Sequence, residues 1–317
     1  MKLSIVTTLY RSSPYVREFY RRAGATADRL GFDWEMILVN DGSPDDAADI
    51  ALALHAEDRR VVFVDLSRNF GHHKALMSGI AHATGEWIFL IDSDLEEAPE
   101  LLEQFSSLAR AQQADVVFGV QAHRKGGWFE RVSGEAYYRL INALCEYPIP
   151  RNLITARLMS RRYVDALLQY REREFFLAGL WVLAGFKQVP LMVEKLSSSE
   201  TTYTLRRKLV IVVDAITSFS SKPLVGIFYL GLVISLLAAL AAAGLIVRVL
   251  FFGALLQGWA SLIVSIWLLG GLTIFCLGVI GIYLAKVFTE SKQRPYAIVR
   301  ALHRHSGELS AVVPTRG

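Results

Sequence analysis

Short apolar runs alternate with amphipathic stretches along the N-terminal part of the chain. The apolar runs are Lys2–Leu9, Trp34–Val39, Val61–Leu66, residues 86–91 and Asp115–Gly119. Between them, residues 15–30, 46–56, 72–83 and 99–112 carry apolar side chains at helical spacing. Ser12-Ser13-Pro14 is a fair start for the first of these helices. Strands that alternate with helices predict a mostly parallel, doubly wound α/β sheet whose strands are buried on both faces.

Further along, the pattern changes. No charged residue occurs from Pro223 to Val247 or from Phe251 to Ala285. Each run is longer than the roughly 20 residues that cross a ~30 Å hydrocarbon core, so two transmembrane helices are predicted. They are placed at about 223–248 and 259–286. Two amphipathic segments lie between the two regimes. Glu130–Cys145 gathers Val132, Ala136, Tyr137, Leu140, Ile141 and Leu144 near one face, which suits packing on the sheet or lying on the bilayer. Leu205–Ser221 opens with Arg206-Arg207-Lys208 and leads into the first span, so it is expected at the bilayer interface. The expected organisation is a globular domain over 1–204, a juxtamembrane helix over 205–222, two spans within 223–287 and a tail over 288–317.

Composition sharpens this picture only where it is read by region. The 317 residues are 53% hydrophobic with a mean hydropathy of +0.33, an average over two unlike parts. The first 200 or so residues are enough to bury a core of their own. Met1-Lys2-Leu3-Ser4 runs into a strand with no extended apolar leader, so the globular part is expected to stay in the cytoplasm. Arg206, Arg207, Lys208 and Lys222 precede the first span, and Lys286, Lys292, Arg294, Arg300 and Arg304 follow the second. Only Arg248 lies near the connection, so both chain ends are placed in the cytoplasm and a loop at about 249–258 outside. The expectation is a multi-pass protein of the inner cell membrane. A net charge of +4 then speaks for an anionic leaflet, not for nucleic acid. Cys145 and Cys276 imply neither a disulfide nor a cysteine metal site.

The candidate chemistry sits at strand ends. The run 88–91 stops at Asp92-Ser93-Asp94, two carboxylates one residue apart. Mg²⁺ and Mn²⁺ take one or two such carboxylates plus the phosphates of a substrate. The same spelling is also that of an ordinary turn after a strand. Asp41 closes another strand within Asn40-Asp41-Gly42-Ser43, which equally spells a turn and a helix cap. In a doubly wound sheet ligands bind beyond the carboxyl ends of the strands, and both carboxylate groups fall there. The chain has no G-x-G-x-x-G after its first strand and no G-x-x-x-x-G-K-[ST], which weighs against a dinucleotide oxidoreductase and a P-loop NTPase. His72 and His73 have no carboxylate or cysteine at ligand spacing and read as pocket or surface residues.

Several motifs, in order, carry a resemblance. Val39-Asn40-Asp41-Gly42-Ser43 is followed by Ser67-Arg68-Asn69-Phe70-Gly71-His72-His73-Lys74-Ala75, then by Asp92-Ser93-Asp94-Leu95-Glu96 with Pro99-Glu100. Gly179-Leu180-Trp181, Gly185-Phe186-Lys187 and Thr217-Ser218-Phe219-Ser220 continue the series up to the apolar runs. The chain resembles family 2 glycosyltransferases, with their GT-A (Rossmann-like) domain, and within them the polyprenyl-phosphate sugar transferases related to dolichol-phosphate mannose synthase. The resemblance implies that Asp41 contacts the nucleotide base, and that Thr8, Tyr10, Arg68, Lys74, Asp92 and Ser93 line the donor site. It assigns Asp92, Asp94 and Glu96 to a Mg²⁺ or Mn²⁺ ion, with Asp92, Asp94 and Arg131 as the catalytic set. It places the acceptor phosphate near Arg124, Arg131 and Arg157.

The chain departs from the family's pattern at three places. Gly119-Val120-Gln121 stands where relatives have Gly-x-Arg, and Ile154-Thr155-Ala156-Arg157-Leu158 lacks an Asp that many relatives carry. The loop Ser197-Ser198-Ser199-Glu200-Thr201-Thr202-Tyr203 keeps the tyrosine but not the cations. The implied activity is inverting, metal-dependent transfer of a sugar from a nucleotide-diphosphate sugar to polyprenyl (undecaprenyl) phosphate at the cytoplasmic membrane face. Such products feed cell-envelope or lipopolysaccharide modification, and a homo-oligomer is compatible with it. The rival readings are a glycosyltransferase with another lipid or glycan acceptor, and a non-catalytic nucleotide-sugar or lipid-binding membrane protein.

Overall fold

The structure, a computed structural model, describes residues 1–121, 150, 152–170, 172, 177–194, 220, 222–252 and 258–305. The two segments expected at the bilayer surface, 130–145 and 205–221 apart from Ser220, and the loop 197–203 lie outside the described residues.

The alternating pattern folds as its periodicity requires. The elements run β1 (Lys2–Leu9), α1 (Val16–Arg29), β2 (Asp33–Asn40), α2 (Ala47–Glu57), β3 (Val61–Leu66), α3 (His72–His82), β4 (Trp87–Leu90), α4 (Leu101–Gln112) and β5 (Val116–Gln121). They continue with β6 (Leu153–Ser160), α5 (Arg161–Leu167), α6 (Leu177–Leu183), β7 (Gln188–Val193), α7 (Lys222–Phe252), α8 (Trp259–Ser291) and β8 (Val299–His303). The eight strands form one sheet in the order β7-β5-β6-β4-β1-β2-β3-β8. The β4-β1-β2-β3 centre is parallel, with Leu3 beside Trp34 and Ile5 beside Phe89. This is the α/β, mostly parallel architecture that a GT-A domain implies. β6 enters antiparallel between β4 and β5, and β8 closes the β3 edge antiparallel.

Successive side chains of each strand enter opposite layers of core. Leu3, Ile5, Trp34, Met36, Leu38 and Phe89 pack with Phe19, Leu54 and Phe105 of α1, α2 and α4. Val6, Ile37, Val39, Ile88 and Leu90 pack with Leu76, Ile80, Val164 and Trp181 of α3, α5 and α6. Burial on both faces is why these strands read as continuous apolar runs. α3 approaches the sheet closely, because a Cβ on Gly79 would stand 2.6 Å from Val6 Cγ1 and 2.8 Å from Val39 Cγ2.

The reading of 288–317 as a tail needs correction. After α8 the chain returns to the domain, and Val299–His303 forms the eighth strand. Arg300 pairs with Asp65 of β3 at 2.6 Å, Arg304 reaches toward Glu35 of β2, and Ser67 N–H donates to Ile298 O at 2.9 Å. Of the two expected spans, one is seen among the described residues. Within α8, Ser265–Ser291 has a mean hydropathy of 2.2 and is the stretch among the described residues long and apolar enough to cross a membrane. The apolar stretch recorded in α7 is the shorter Lys222–Ala238. None of this α8 stretch is buried against the protein, and Trp267, Leu268 and Ile274 are at least 70% exposed. A soluble core helix would be covered.

Candidate active site

Parallel β1, β2 and β4 end on the same edge of the sheet, and that common direction gathers the polar residues that follow them. Ser93 Oγ donates to Thr8 O at 2.9 Å, tying the turn after β4 to the end of β1. Asp41 N–H donates to Leu9 O at 3.1 Å, tying the turn after β2 to the same place. Thr8, Asp41 and Ser93 are all buried, whereas Tyr10 is 48% exposed at the rim.

Asp41 organises the loop before α3. Its carboxylate accepts the Phe70 N–H at 2.7 Å and the Gly71 N–H at 3.1 Å, and its backbone carbonyl accepts Asn69 Nδ2 at 3.0 Å. Burial pushes its carboxyl above the ordinary range, while the two N–H donors pull the other way. Gly42 (φ +60°) permits this contact, since a Cβ there would stand 2.5 Å from Asn69 N. Its neighbour Asn40 is held at both ends, donating to Asp65 at 2.9 Å and accepting Ser43 N–H at 2.9 Å. The Asn-Asp-Gly-Ser turn is thus built by its own side chains. Arg68 lies over the Phe70 ring and donates to Asn69 O, on the outside of this loop.

α3 carries the loop's effect to the carboxylates. His72 Nε2 stands 3.5 Å from Asp92 Oδ1, and its Nδ1 lies 3.2 Å from Thr8 Oγ1. Sequence spacing missed this partnership, because the nineteen residues between His72 and Asp92 span the rest of a helix and a whole strand. At 3.5 Å the imidazole is within ion-pair range but beyond a good hydrogen bond. Asp92 Oδ1 is buried and has no hydrogen-bond partner among the described residues. Asp94 is exposed, and Leu95 takes a left-handed backbone (φ 60°) that lets Asp94 Oδ1 accept Glu96 N–H at 3.0 Å.

These carboxylates fit an ion that is completed by a substrate. An orphaned oxygen on Asp92 beside exposed Asp94 matches the one or two carboxylates Mg²⁺ takes when phosphates supply other ligands. The expected set of three is not formed: no group of three His, Cys, Asp or Glu side chains among the described residues is arranged to hold an ion.

Arg157 is the other correction. Expected at an acceptor phosphate, it is only 1% exposed, with its guanidinium stacked on the Trp181 ring. It pairs with Leu90 and Phe118 in the sheet, so its side chain enters the layer beneath α6. Its contacts to Thr155 O and Ile154 O are long, 3.3 and 3.4 Å. Burial pulls its pKa down to about 9 against the raising effects of Tyr163 and Glu97. Buried Glu97, also unforeseen, accepts Ala156 N–H at 3.0 Å and so fixes β6 to the turn after Asp94. Arg124 and Arg131 lie outside the described residues.

Comparison with known proteins gives the chain its family. Residues 4–168 match the model of "Glycosyl transferase family 2". A Mycobacterium tuberculosis protein named among glycosyltransferases is 55% identical over 303 residues, covering 96% of this chain and 89% of that protein. The prophage bactoprenol glucosyl transferase homolog of Escherichia coli is 31% identical over 307 residues, covering 96% of this chain and all of that one. Among solved structures, Staphylococcus aureus TarS in complex with UDP-GlcNAc aligns with a TM-score of 0.47 at 16% identity, over 69% of this chain and 66% of that one.

Proposed function

The chain belongs to glycosyl transferase family 2, and we propose that it transfers a sugar from a nucleotide-diphosphate donor to polyprenyl phosphate at a membrane surface. The observation that carries the catalytic half of this reading is the meeting of Thr8, His72 and Asp92 at one sheet edge, beside the turn held by Asp41. The lipid half draws on similarity over the full length to the bactoprenol glucosyl transferases, together with the uncovered apolar helix.

The chain's path supports two crossings. β7 and β8 belong to one sheet, so the polypeptide leaves the domain before α7 and returns to it after α8. Tyr283 Oη near the end of α8 donates to Ser220 O just before α7 at 2.6 Å, which brings the two ends of the helical pair together. A chain that returns to its starting side crosses a membrane an even number of times. If α8 spans, α7 is its partner, with the domain on the cytoplasmic side by charge placement.

In the proposed reaction an acceptor phosphate oxygen attacks the anomeric carbon. A new C–O bond forms as the bond to the nucleotide diphosphate breaks, inverting the configuration. The acceptor needs no strong base, because a phosphate monoester with its second pKa near 6 is largely dianionic at neutral pH. Asp92 and Asp94 would hold a Mg²⁺ or Mn²⁺ ion, which would supply positive charge to offset that building on the leaving diphosphate. Asp41 shapes the nucleotide side by fixing residues 69–71, and His72 orients Asp92. Arg124 and Arg131 are assigned to the acceptor side. Arg157 is withdrawn from it.

The test is transfer by the purified full chain in detergent, with undecaprenyl phosphate and labelled UDP-, GDP- and dTDP-sugars, with and without Mg²⁺ or Mn²⁺. Metal-dependent passage of label from one donor into the lipid is expected. A donor that binds with metal but yields no lipid product refutes the polyprenyl acceptor.

A further inference from the structure

A second polar feature lies between the loop before α3 and the segment that follows α8. Arg68, Phe70 and Lys74 form one wall, and Lys292, Arg294 and Tyr296 form the other, around a cavity of about 230 Å³. Thr289, in the last turn of α8, closes one side. Four cations therefore face one small space. None of Arg68, Lys74, Lys292 and Arg294 forms an ion pair with a carboxylate among the described residues; Arg68 lies over Phe70, and Lys292 over Phe288. Elsewhere in the domain most arginines near the surface are matched, as Arg22 is with Glu100 and Arg162 with Asp115. Unmatched like charges repel, so this cluster is more comfortable with an anion between them.

Size and position narrow the anion. The cavity is smaller than the roughly 300–1,000 Å³ that encloses a whole small-molecule ligand, so it suits a phosphate head and not a complete nucleotide sugar. Thr289 and Lys292 flank Ser291, the last residue of the apolar stretch, so the cavity opens where that helix would leave a bilayer. Lys74 follows His72 by two positions, about 3 Å along the first turn of α3. Lys74 of the cavity wall and His72, which meets Asp92, thus share the first turn of α3.

We infer that this pocket binds the phosphate head of a membrane lipid, with Arg68 and Lys74 serving that phosphate instead of the sugar donor at which they were expected, and with Lys292 and Arg294 supplied by the returning C-terminal segment. In its sharper form, in which the head belongs to the sugar acceptor, the inference rests on the function proposed above. The docking of β8 through Arg300 and Asp65 then acquires a purpose: it holds residues 292–296 against the loop before α3.

The experiment compares the full chain in detergent with the variant K292Q/R294Q. Binding is measured for polyprenyl phosphate, the matching polyprenol, phosphatidylglycerol, and UDP with Mn²⁺. Loss of two charged contacts is expected to weaken polyprenyl phosphate about ten- to a hundredfold, with polyprenol and UDP unchanged. The charge-preserving variant K292R/R294K, which keeps both cations, is expected to retain most of the affinity. Weakening of polyprenyl phosphate alone identifies the acceptor as the source of the head group. Equal weakening of phosphatidylglycerol identifies bulk anionic lipid. Equal affinity of variant and wild type for both phosphorylated lipids overturns the inference, even where sugar transfer proceeds. Lipid binding that needs the two cations, in a protein that transfers no sugar to polyprenyl phosphate, upholds the pocket and refutes the proposed function instead.

Discussion

Asp65 offers a way to test how the C-terminal strand and the Asn-Asp-Gly-Ser turn depend on each other. Its Oδ2 accepts Arg300 Nη2 at 2.6 Å and Nε at 2.8 Å, and its Oδ1 accepts Asn40 Nδ2 at 2.9 Å. The substitution Asp65→Ala removes all three contacts at once. The two partners respond differently. The Arg300 side chain is 61% exposed and regains water, so the screened pair is worth about 1 kcal/mol or less. Asn40 is 3% exposed, and its amide is left without an acceptor at a cost of about 1–3 kcal/mol. The sum is about 1–4 kcal/mol, or a fall in Tm of about 2–16 °C for a domain of this size. Arg300→Ala leaves Asn40 satisfied and is expected to cost about 1 kcal/mol or less. Thermal unfolding of the purified full chain, followed by tryptophan fluorescence, measures both. If Arg300→Ala destabilises as much as Asp65→Ala, the stranded amide of Asn40 costs little and the reasoning fails. Asp65→Ala is also expected to raise the KM for donor, because a loosened Asn40 no longer holds Ser43 N–H.

Three further outcomes follow from the same contacts. Asp92→Asn keeps the shape of the side chain but halves its charge-bearing oxygens, and is expected to lower sugar transfer at least about a hundredfold while leaving Tm within a few degrees; transfer kinetics over a metal titration check it. Arg157→Met replaces a buried, weakly bonded cation with an apolar chain of similar length, so stability is expected to stay level or rise, and the KM for acceptor to stay within about twofold. A large rise in that KM would return Arg157 to the acceptor site. Glu100→Gln concerns pH: the hydrogen bonds from Arg22 hold the Glu100 carboxyl below its ordinary value of 4.5. A depressed carboxyl stabilises the fold above its unfolded pKa and loses that contribution as pH falls through the folded value. The wild type is therefore expected to lose stability more steeply than Glu100→Gln below about pH 4.5, read as Tm against pH.

What the chain's own pattern determined was everything set by local periodicity. Strands such as Val61–Leu66 are apolar because both faces are covered, and α1 through α4 repeat at helical spacing because one side of each meets the sheet. The same logic marks the uninterrupted apolar runs after Pro223, and it puts Asp41 and Asp92 at strand ends, where parallel strands must deliver them to one edge. Tertiary structure alone decided the rest. β8 is a five-residue strand containing Arg300 and His303, and nothing local distinguishes it from a charged tail; it is a strand because β3, some 235 residues away, offers an open edge and Asp65 a partner. Arg157 looks like a surface cation until the antiparallel entry of β6 turns it beneath Trp181. His72 gains Asp92, and Arg68 and Lys74 gain Lys292 and Arg294, only through the folding of distant segments against α3. Periodicity reports which side of an element faces the core, whereas the partner of a polar side chain depends on which elements the whole chain brings together.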